Sequence, residues 1–335
     1  MMRRALRNAD LVGSFANVLY PLRSRLVKGT PLCVSGHQVR LASATPYPRP
    51  VSPLSFDLHS PASPKADEKT APIIFLHGLF GSKKNNRGIS KVKDLRNHGE
   101  SPHDPRHDYA AMAEDILAFI DSHGLKEPTL IGHSMGAKTA MSVALRSPET
   151  VARVVAVDNA PVDVALSRTF ASYVRGMKRI QEANVTRQAE ADAILRDYEE
   201  SLPIRQFLLG NLYRSPEDGI QRFCVPLDIL GRSLDHLGDF PYKNPGEARY
   251  TKPSLFVRGT QSKYVPDDVL PIIGQFFPRF RLADVDAGHW LISEQPEAFR
   301  QGRFLLLAFQ NITSGFYSLT HMYLSRSELS ARSIK

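Results

Sequence analysis

Five residues, Gly132-His133-Ser134-Met135-Gly136, constrain this chain more tightly than any other stretch. They stand between a buried-type apolar run, Thr129–Ile131, and an amphipathic helical segment, Ala137–Leu145. A strand that becomes a helix within one residue strains the backbone at the serine. It also leaves no room for side chains on either flank, so both positions require glycine. The turn exposes the hydroxyl and aims the helix N-terminus at negative charge that develops beside it. G-x-S-x-G recurs by chance, but with the strand and helix in place Ser134 is a candidate nucleophile. The plainer alternative is a serine that only caps the helix.

The surrounding pattern repeats this alternation. Pro72–Leu76 is a continuous apolar run of the kind a buried parallel strand shows, and it leads into His77-Gly78. Between Asp108 and Gly124 the period changes: Tyr109, Met112, Ile116, Phe119 and Ile120 share one helical face, with Asp108 as cap and Gly124 as stop. Pro128–Ile131 and Val151–Val157 are further strands, the latter ending at Asp158-Asn-Ala-Pro161. Strand, helix, strand, helix, strand predicts an α/β domain, a mostly parallel sheet with helices on both faces. Residues 162–250 break the rhythm; they are charged and helix-patterned, with no strong strand, and read as a helical cap over the C-terminal sheet edge. Alternation resumes at Pro253–Arg258 and Phe280–Val285. The core is therefore expected over 71–161 and 251–302.

Three further positions complete a candidate site. His77-Gly78-Leu79-Phe80-Gly81 follows a buried strand, and a backbone N–H at Leu79 or Phe80, with that of Met135, could hold an oxyanion. The general base belongs after the last strand, where Asp286-Ala-Gly-His289 supplies an imidazole able to take and return a proton near neutrality. The acid is contested. An acid commonly follows the strand before the histidine, but that slot offers Ser262, with Asp267 and Asp268 beyond Pro266. Asp158, 24 residues past Ser134, emerges at the same sheet edge and is preferred, with Asp267 next. His77, His98, His103 and His107 match no zinc spacing, so neither metal nor cofactor is expected.

The net charge of +9 suggests an anionic partner until its position is considered. Eight Lys/Arg and one acid fall within residues 1–50, contributing +7, so nucleic acid is not an expected partner. Residues 1–42 have the arginine-rich, acid-poor composition of a mitochondrial transit peptide; a basic tail without an address is the alternative. Residues 43–70 are a Pro/Ser-rich linker around one short strand with Leu54, Phe56 and Leu58. Two cysteines, Cys33 and Cys224, cannot form a disulfide framework, and no apolar run is long enough for a transmembrane segment.

The motifs resemble one group of α/β-hydrolases: mitochondrial abhydrolase-domain esterases, bacterial esterases and the ethanol acetyltransferases of fermenting yeasts. The resemblance lies in IIFLHGLFGSKKNNR (Ile73–Arg87), DLRNHGESPH (Asp94–His103), LIGHSMGAKTAM (Leu130–Met141) and VDNAP (Val157–Pro161). It continues in LFVRGTQSKYVP (Leu255–Pro266) and DAGHWLISEQP (Asp286–Pro296). It implies an α/β-hydrolase fold, an acid at Asp158, and cleavage of short-chain acyl esters or thioesters. Acyl transfer from acetyl-CoA to an alcohol is the rival activity, and a non-catalytic scaffold for a mitochondrial complex the rival from outside enzymology. Two departures stand out. Only 17 residues separate His77 from Asp94, where a helix and a strand need about 20. Lys91-Val92-Lys93 is too polar and short for that strand, so the sheet is expected to lack one. From Arg303 to Lys335 the likeness stops, leaving a divergent tail.

Overall fold

Parallel strands form where apolar runs meet a glycine-bearing turn, and the computed structural model follows that pattern over residues 53–56, 72–83, 92–164, 166 and 168–295. The 1–42 presequence, Cys33, Leu58 and most of the linker, residues 84–91 and the 303–335 tail lie outside the described residues. In chain order, β1 (Ile73–Leu76), β2 (Val92–Lys93), α1 (Tyr109–Ser122), β3 (Thr129–His133), α2 (Met135–Arg146) and β4 (Arg153–Val157) make the first half. The insertion carries α3 (Arg168–Glu182), α4 (Gln188–Leu195), α5 (Leu202–Leu209), β5 (Leu212–Arg214), β6 (Gln221–Phe223), α6 (Leu227–Arg232) and α7 (Leu234–Gly238). After it come β7 (Ser254–Gly259), α8 (Leu270–Phe276), β8 (Phe280–Val285) and the single-turn α9 (Leu291–Glu294).

Six strands form one wholly parallel sheet in the order β2-β1-β3-β4-β7-β8. Side chains alternate across it with period two. Ile74, Leu76, Leu130, Val154, Ala156 and Phe256 join the larger core, whereas Phe75, Ile131, Val155, Val157, Leu255 and Val257 join a second cluster on the other face. Burial on both faces explains why these strands read as unbroken apolar runs. The chain leaves β1 toward β2 and leaves β3 toward β4, in opposite directions along the sheet, so a crevice opens at the C-terminal ends between β1 and β3.

α1 begins as its sequence requires, with the Asp108 carboxylate accepting the Ala111 N–H at 2.8 Å, and Gly124 follows its end at φ +58°. Of the strand expected around Leu54, the described part is buried at Leu54 and packs Phe56 edge-on against Phe119, with ring centroids 5.4 Å apart. Cys224 is half-buried, and its thiol approaches Asn211 Oδ1 at 3.9 Å. Among the described residues no helix is long and apolar enough to cross a membrane.

Two expectations are corrected. The sheet does not lack its strand: β2 pairs in parallel with β1, Phe75 opposite Val92 and Leu76 opposite Lys93. An edge strand needs only backbone pairing on one side, which two polar-flanked residues can supply. The cap, in turn, is not purely helical. β5 and β6 form an antiparallel hairpin, Leu212 opposite Phe223, made of three-residue strands too short and polar to register as a pattern.

The segment after β2 is fastened from inside. Arg96 lies fully buried and meets Asp115 of α1 through two contacts, Nε–Oδ2 at 2.6 Å and Nη2–Oδ1 at 2.7 Å. The carbonyls of Arg106 and Ala111 accept from Nη1 and Nη2 at 3.0 and 3.3 Å, and Asp104 Oδ1 accepts from Nη1 at 3.4 Å. Ser101 Oγ donates to the Asp94 carbonyl at 2.5 Å and accepts from Ser55 N at 2.9 Å, so Arg96 and Ser101 both tie this segment to its neighbours. Asp115→Ala removes the bidentate partner of a buried guanidinium, leaving the longer contact to Asp104, and is expected to lower unfolding stability by about 3–5 kcal/mol, measured by urea denaturation. A loss below about 1 kcal/mol would show that Arg96 finds another partner or water.

Candidate active site

The turn at Ser134 is built as its glycines demand. Ser134 has φ +54° and ψ −114°, and α2 starts at the next residue. A Cβ on Gly132 would fall onto the carbonyl of Gly136, and one on Gly136 onto the carbonyl of Leu76, both closer than side chains tolerate. The helix start therefore packs bare backbone against the end of β1. Hydrogen bonds hold the strained residue: Ser134 N donates to Val157 O at 2.9 Å, and Asn159 Nδ2 donates to Ser134 O at 3.2 Å.

The structure brings Ser134, His289 and Asp158 into one hydrogen-bonded chain. His289 Nε2 lies 3.0 Å from Ser134 Oγ, and Nδ1 lies 2.7 Å from Asp158 Oδ2. A carboxylate only accepts, so Nδ1 carries the proton and Nε2 faces the hydroxyl as acceptor. Asp158 is completely buried at φ +51°. Its carboxylate also accepts Gly259 N at 3.1 Å and Ser262 Oγ at 2.5 Å. Three hydrogen bonds to a carboxylate, each on the order of 1.5–3 kcal/mol, outweigh a positive-φ strain of about 1–3 kcal/mol. The runner-up Asp267 does not reach the imidazole; it pairs with Arg258 Nη1 at 2.5 Å on the surface.

Several partners of His289 carried no signal in the sequence. The Tyr264 ring stacks on its imidazole at 4.1 Å with planes 28° apart. His133 Nε2 donates to the His289 carbonyl at 2.9 Å, and Glu294 Oε2 accepts Gly288 N at 2.7 Å. Ser262 was visible only as a non-acid in the acid's usual slot; its hydroxyl fills that slot by donating to Asp158.

Leu79 and Phe80 form the central residues of a turn closed by Gly81 N donating to Gly78 O at 2.9 Å. Phe80 lies at φ +61°, so this is a type II turn with an aromatic residue where glycine is usual. The N–H of Phe80 is occupied by His98 Nε2 at 3.1 Å, which leaves Leu79 as the available amide of the pair. Met135 opens α2, where an N–H has no partner within the helix.

A cavity of about 330 Å³ flanks the Ser134 hydroxyl rather than containing it. Gly78 and His133 form its inner wall, Trp290 follows His289, and Gln206 and Phe207 reach it from cap helix α5. Gly78 lines the cavity and also lies beside the serine: a Cβ built on it would come within 3.4 Å of Ser134 Cβ. None of the lining side chains is a Lys, Arg, Asp or Glu. Among the described residues no cluster of His, Cys, Asp or Glu could hold a metal ion.

Four histidines beneath the site are held neutral, each chiefly by burial. His133 is lowered to about 4 and His107 to about 3, while His77 and His98 also lie below the usual imidazole range. The unfolded chain takes up protons near pH 6.5, where the folded chain refuses them. Stability is thus fully present above about pH 6.5 and falls as pH drops toward 4, by up to about 1.4 kcal/mol per pH unit for each histidine. Urea midpoints at pH 7, 6 and 5 should fall progressively; a constant midpoint would contradict neutral burial.

Residues 71–296 match the family model described as the alpha/beta hydrolase fold. An abhydrolase domain-containing protein of Schizosaccharomyces pombe is 38% identical over 245 residues, covering 70% of this chain and 90% of its own. The sn-1-specific diacylglycerol lipase of Mus musculus is 35% identical, covering 74% of this chain and 82% of its own. Ethanol acetyltransferase 1 of Wickerhamomyces anomalus is 30% identical, with 73% and 72% covered. Among solved structures, a marine microorganism esterase superposes with a TM-score of 0.67 at 32% identity, over 73% of this chain and 96% of its own. With its strained Ser134 turn, its parallel sheet and these relatives, the chain belongs to the alpha/beta hydrolase fold family.

Proposed function

We propose that this chain is a mitochondrial serine hydrolase cleaving short-chain acyl esters or thioesters through an acyl-enzyme. The observation that carries the reading is the unbroken Asp158–His289–Ser134 chain at the strained turn. Ser134 Oγ attacks the acyl carbon while His289 Nε2 takes its proton. The carbonyl oxygen, now an anion, is held by the N–H groups of Leu79 and Met135. Collapse of this intermediate expels the alcohol or thiol, which leaves with the proton from His289. Water then attacks the acyl-serine, His289 takes the water's proton, and Ser134 is restored as the acid departs. Asp158 keeps the imidazole in the required tautomer throughout.

The uncharged cavity beside Gly78 favours a small, uncharged substrate limb. Mitochondrial location rests on the composition of residues 1–42. A second reading, acetyl transfer from acetyl-CoA to an alcohol, draws support from the ethanol acetyltransferase relative and uses the same acyl-serine with an alcohol in place of water. The scaffold reading depended on a sheet missing its strand, and β2 removes that support.

Fluorophosphonate labelling tests the serine directly: the wild-type protein should label and Ser134→Ala should not. Folded wild-type protein that resists the probe would overturn the hydrolase reading. On a p-nitrophenyl ester, Ser134→Ala is expected to lower kcat about 10⁴-fold or more, and Asp158→Asn about 10⁴-fold. Ethyl acetate formed from ethanol and acetyl-CoA faster than acetyl-CoA is hydrolysed would make transfer the main activity.

A further inference from the structure

The backbone of Phe80 is gripped at both its N–H and its carbonyl, and the two grips come from different parts of the molecule. Its N–H donates to His98 Nε2 at 3.1 Å, a residue of the segment after β2. Its carbonyl accepts from Asn211 Nδ2 at 2.8 Å, a residue of the cap between α5 and β5. All three residues are buried, Phe80 and His98 completely. His98 can only accept at Nε2, because Nδ1 faces the Arg96 carbonyl at 3.0 Å and must carry the proton. Arg96 in turn is fixed by its buried pairing with Asp115. Asn211 is held within the cap: Nδ2 also reaches Leu208 O at 3.2 Å, and its carbonyl accepts Cys224 N at 2.9 Å.

The grip matters because of the backbone it restrains. Phe80 sits at φ +61°, a conformation that a bulky aromatic residue leaves when released. Types I and II of this turn differ by a flip of the peptide between Leu79 and Phe80, the one whose N–H His98 accepts. The Leu79 amide lies one peptide earlier in the same four-residue turn. Relaxation at Phe80 changes ψ at Leu79 and loosens the four-residue turn that carries the Leu79 N–H.

We propose that His98 and Asn211 are positioning residues that aim the Leu79 N–H into the oxyanion hole, so that full activity requires the cap to be seated. This rests on the serine-hydrolase reading. Neither side chain touches substrate. Each acts through the Phe80 peptide, and their effect is felt when negative charge develops on the carbonyl oxygen, not when substrate first binds. The cap thus does more than shape a pocket: through Asn211 it completes the machinery of the core.

The test compares Asn211→Ala, His98→Leu and His98→Gln with the wild-type protein in ester hydrolysis and in the rate of fluorophosphonate labelling. Asn211→Ala and His98→Leu should each lower kcat by about 10–100-fold with KM within about twofold, and slow labelling by a similar factor. His98→Gln offers an amide oxygen to the Phe80 N–H and should restore most of the loss. Tyr109→Phe removes a different cap–core bond, from Tyr109 Oη to the Leu237 carbonyl at 2.8 Å, and should lower the melting temperature while keeping kcat within about twofold. If Asn211→Ala folds, melts lower and keeps wild-type kcat and labelling rate, the proposal is overturned, whatever becomes of His98→Leu. If the wild-type protein itself resists the probe, the hydrolase reading fails and this one fails with it.

Discussion

The closeness of the Gly136 backbone to the end of β1 is the constraint on which the site depends. With no side chain at 136, the start of α2 rests on the carbonyls of Leu76 and His77; with none at 132, the turn can fold back on itself. This fixes the distance between the exits of β1 and β3. The first exit carries the Leu79 amide and the second carries Ser134 and the Met135 amide. Backbone-to-backbone contact of this kind does not relax as packed side chains do, so the spacing between hydroxyl and amides is set by the sheet rather than by adjustable rotamers.

Strain is concentrated at this edge. Of the six non-glycine residues at positive φ among the described residues, Phe80, Ser134 and Asp158 all belong to the site. Each is restrained by hydrogen bonds from a separate element: His98 and Asn211 for Phe80, β4 and Asn159 for Ser134, β7 and Ser262 for Asp158. Buried neutral histidines suit the role of acceptor to a backbone amide. His77 accepts Leu95 N at 3.0 Å much as His98 accepts Phe80 N, and a proton on either Nε2 would remove the acceptor. Activity and acid lability therefore share a cause, since the groups that shape the site are those that must stay unprotonated.

What the sequence disclosed follows from range. Ser134 and its glycines were legible because their reason is local and steric. His289 was legible from its place after the last strand, and α1 from its cap and its period. β2 was not, because two residues on an edge pair through backbone alone and leave no hydropathic trace. The β5–β6 hairpin escaped for the same reason. Tyr264, Asn211, Ser262 and Glu294 were invisible as site neighbours since nothing in a serine, tyrosine or asparagine says which distant chain it will meet. The oxyanion turn was partly legible: His77-Gly78 announced it and Leu79 with Met135 was the expected pair of amides, but the acceptor that occupies the Phe80 N–H, His98, lies 18 residues away from Phe80.

Asp158 shows why the acid's position along the chain is less restricted than its position in space. β4 and β7 are adjacent and in register, Val157 opposite Val257, so Asp158 leaves the sheet level with Arg258 and Gly259. Its carboxylate crosses to β7, accepting Gly259 N through one oxygen and Ser262 Oγ through the other. The charge thus occupies the space that an acid following β7 would fill. His289, arriving after β8 beside β7, meets a carboxylate there whichever strand supplies it. A serine at 262 then becomes the complement of the shift: the position that could have held the acid holds a donor that fixes it, and an acid at 262 would oppose Asp158 with a like charge in a buried site.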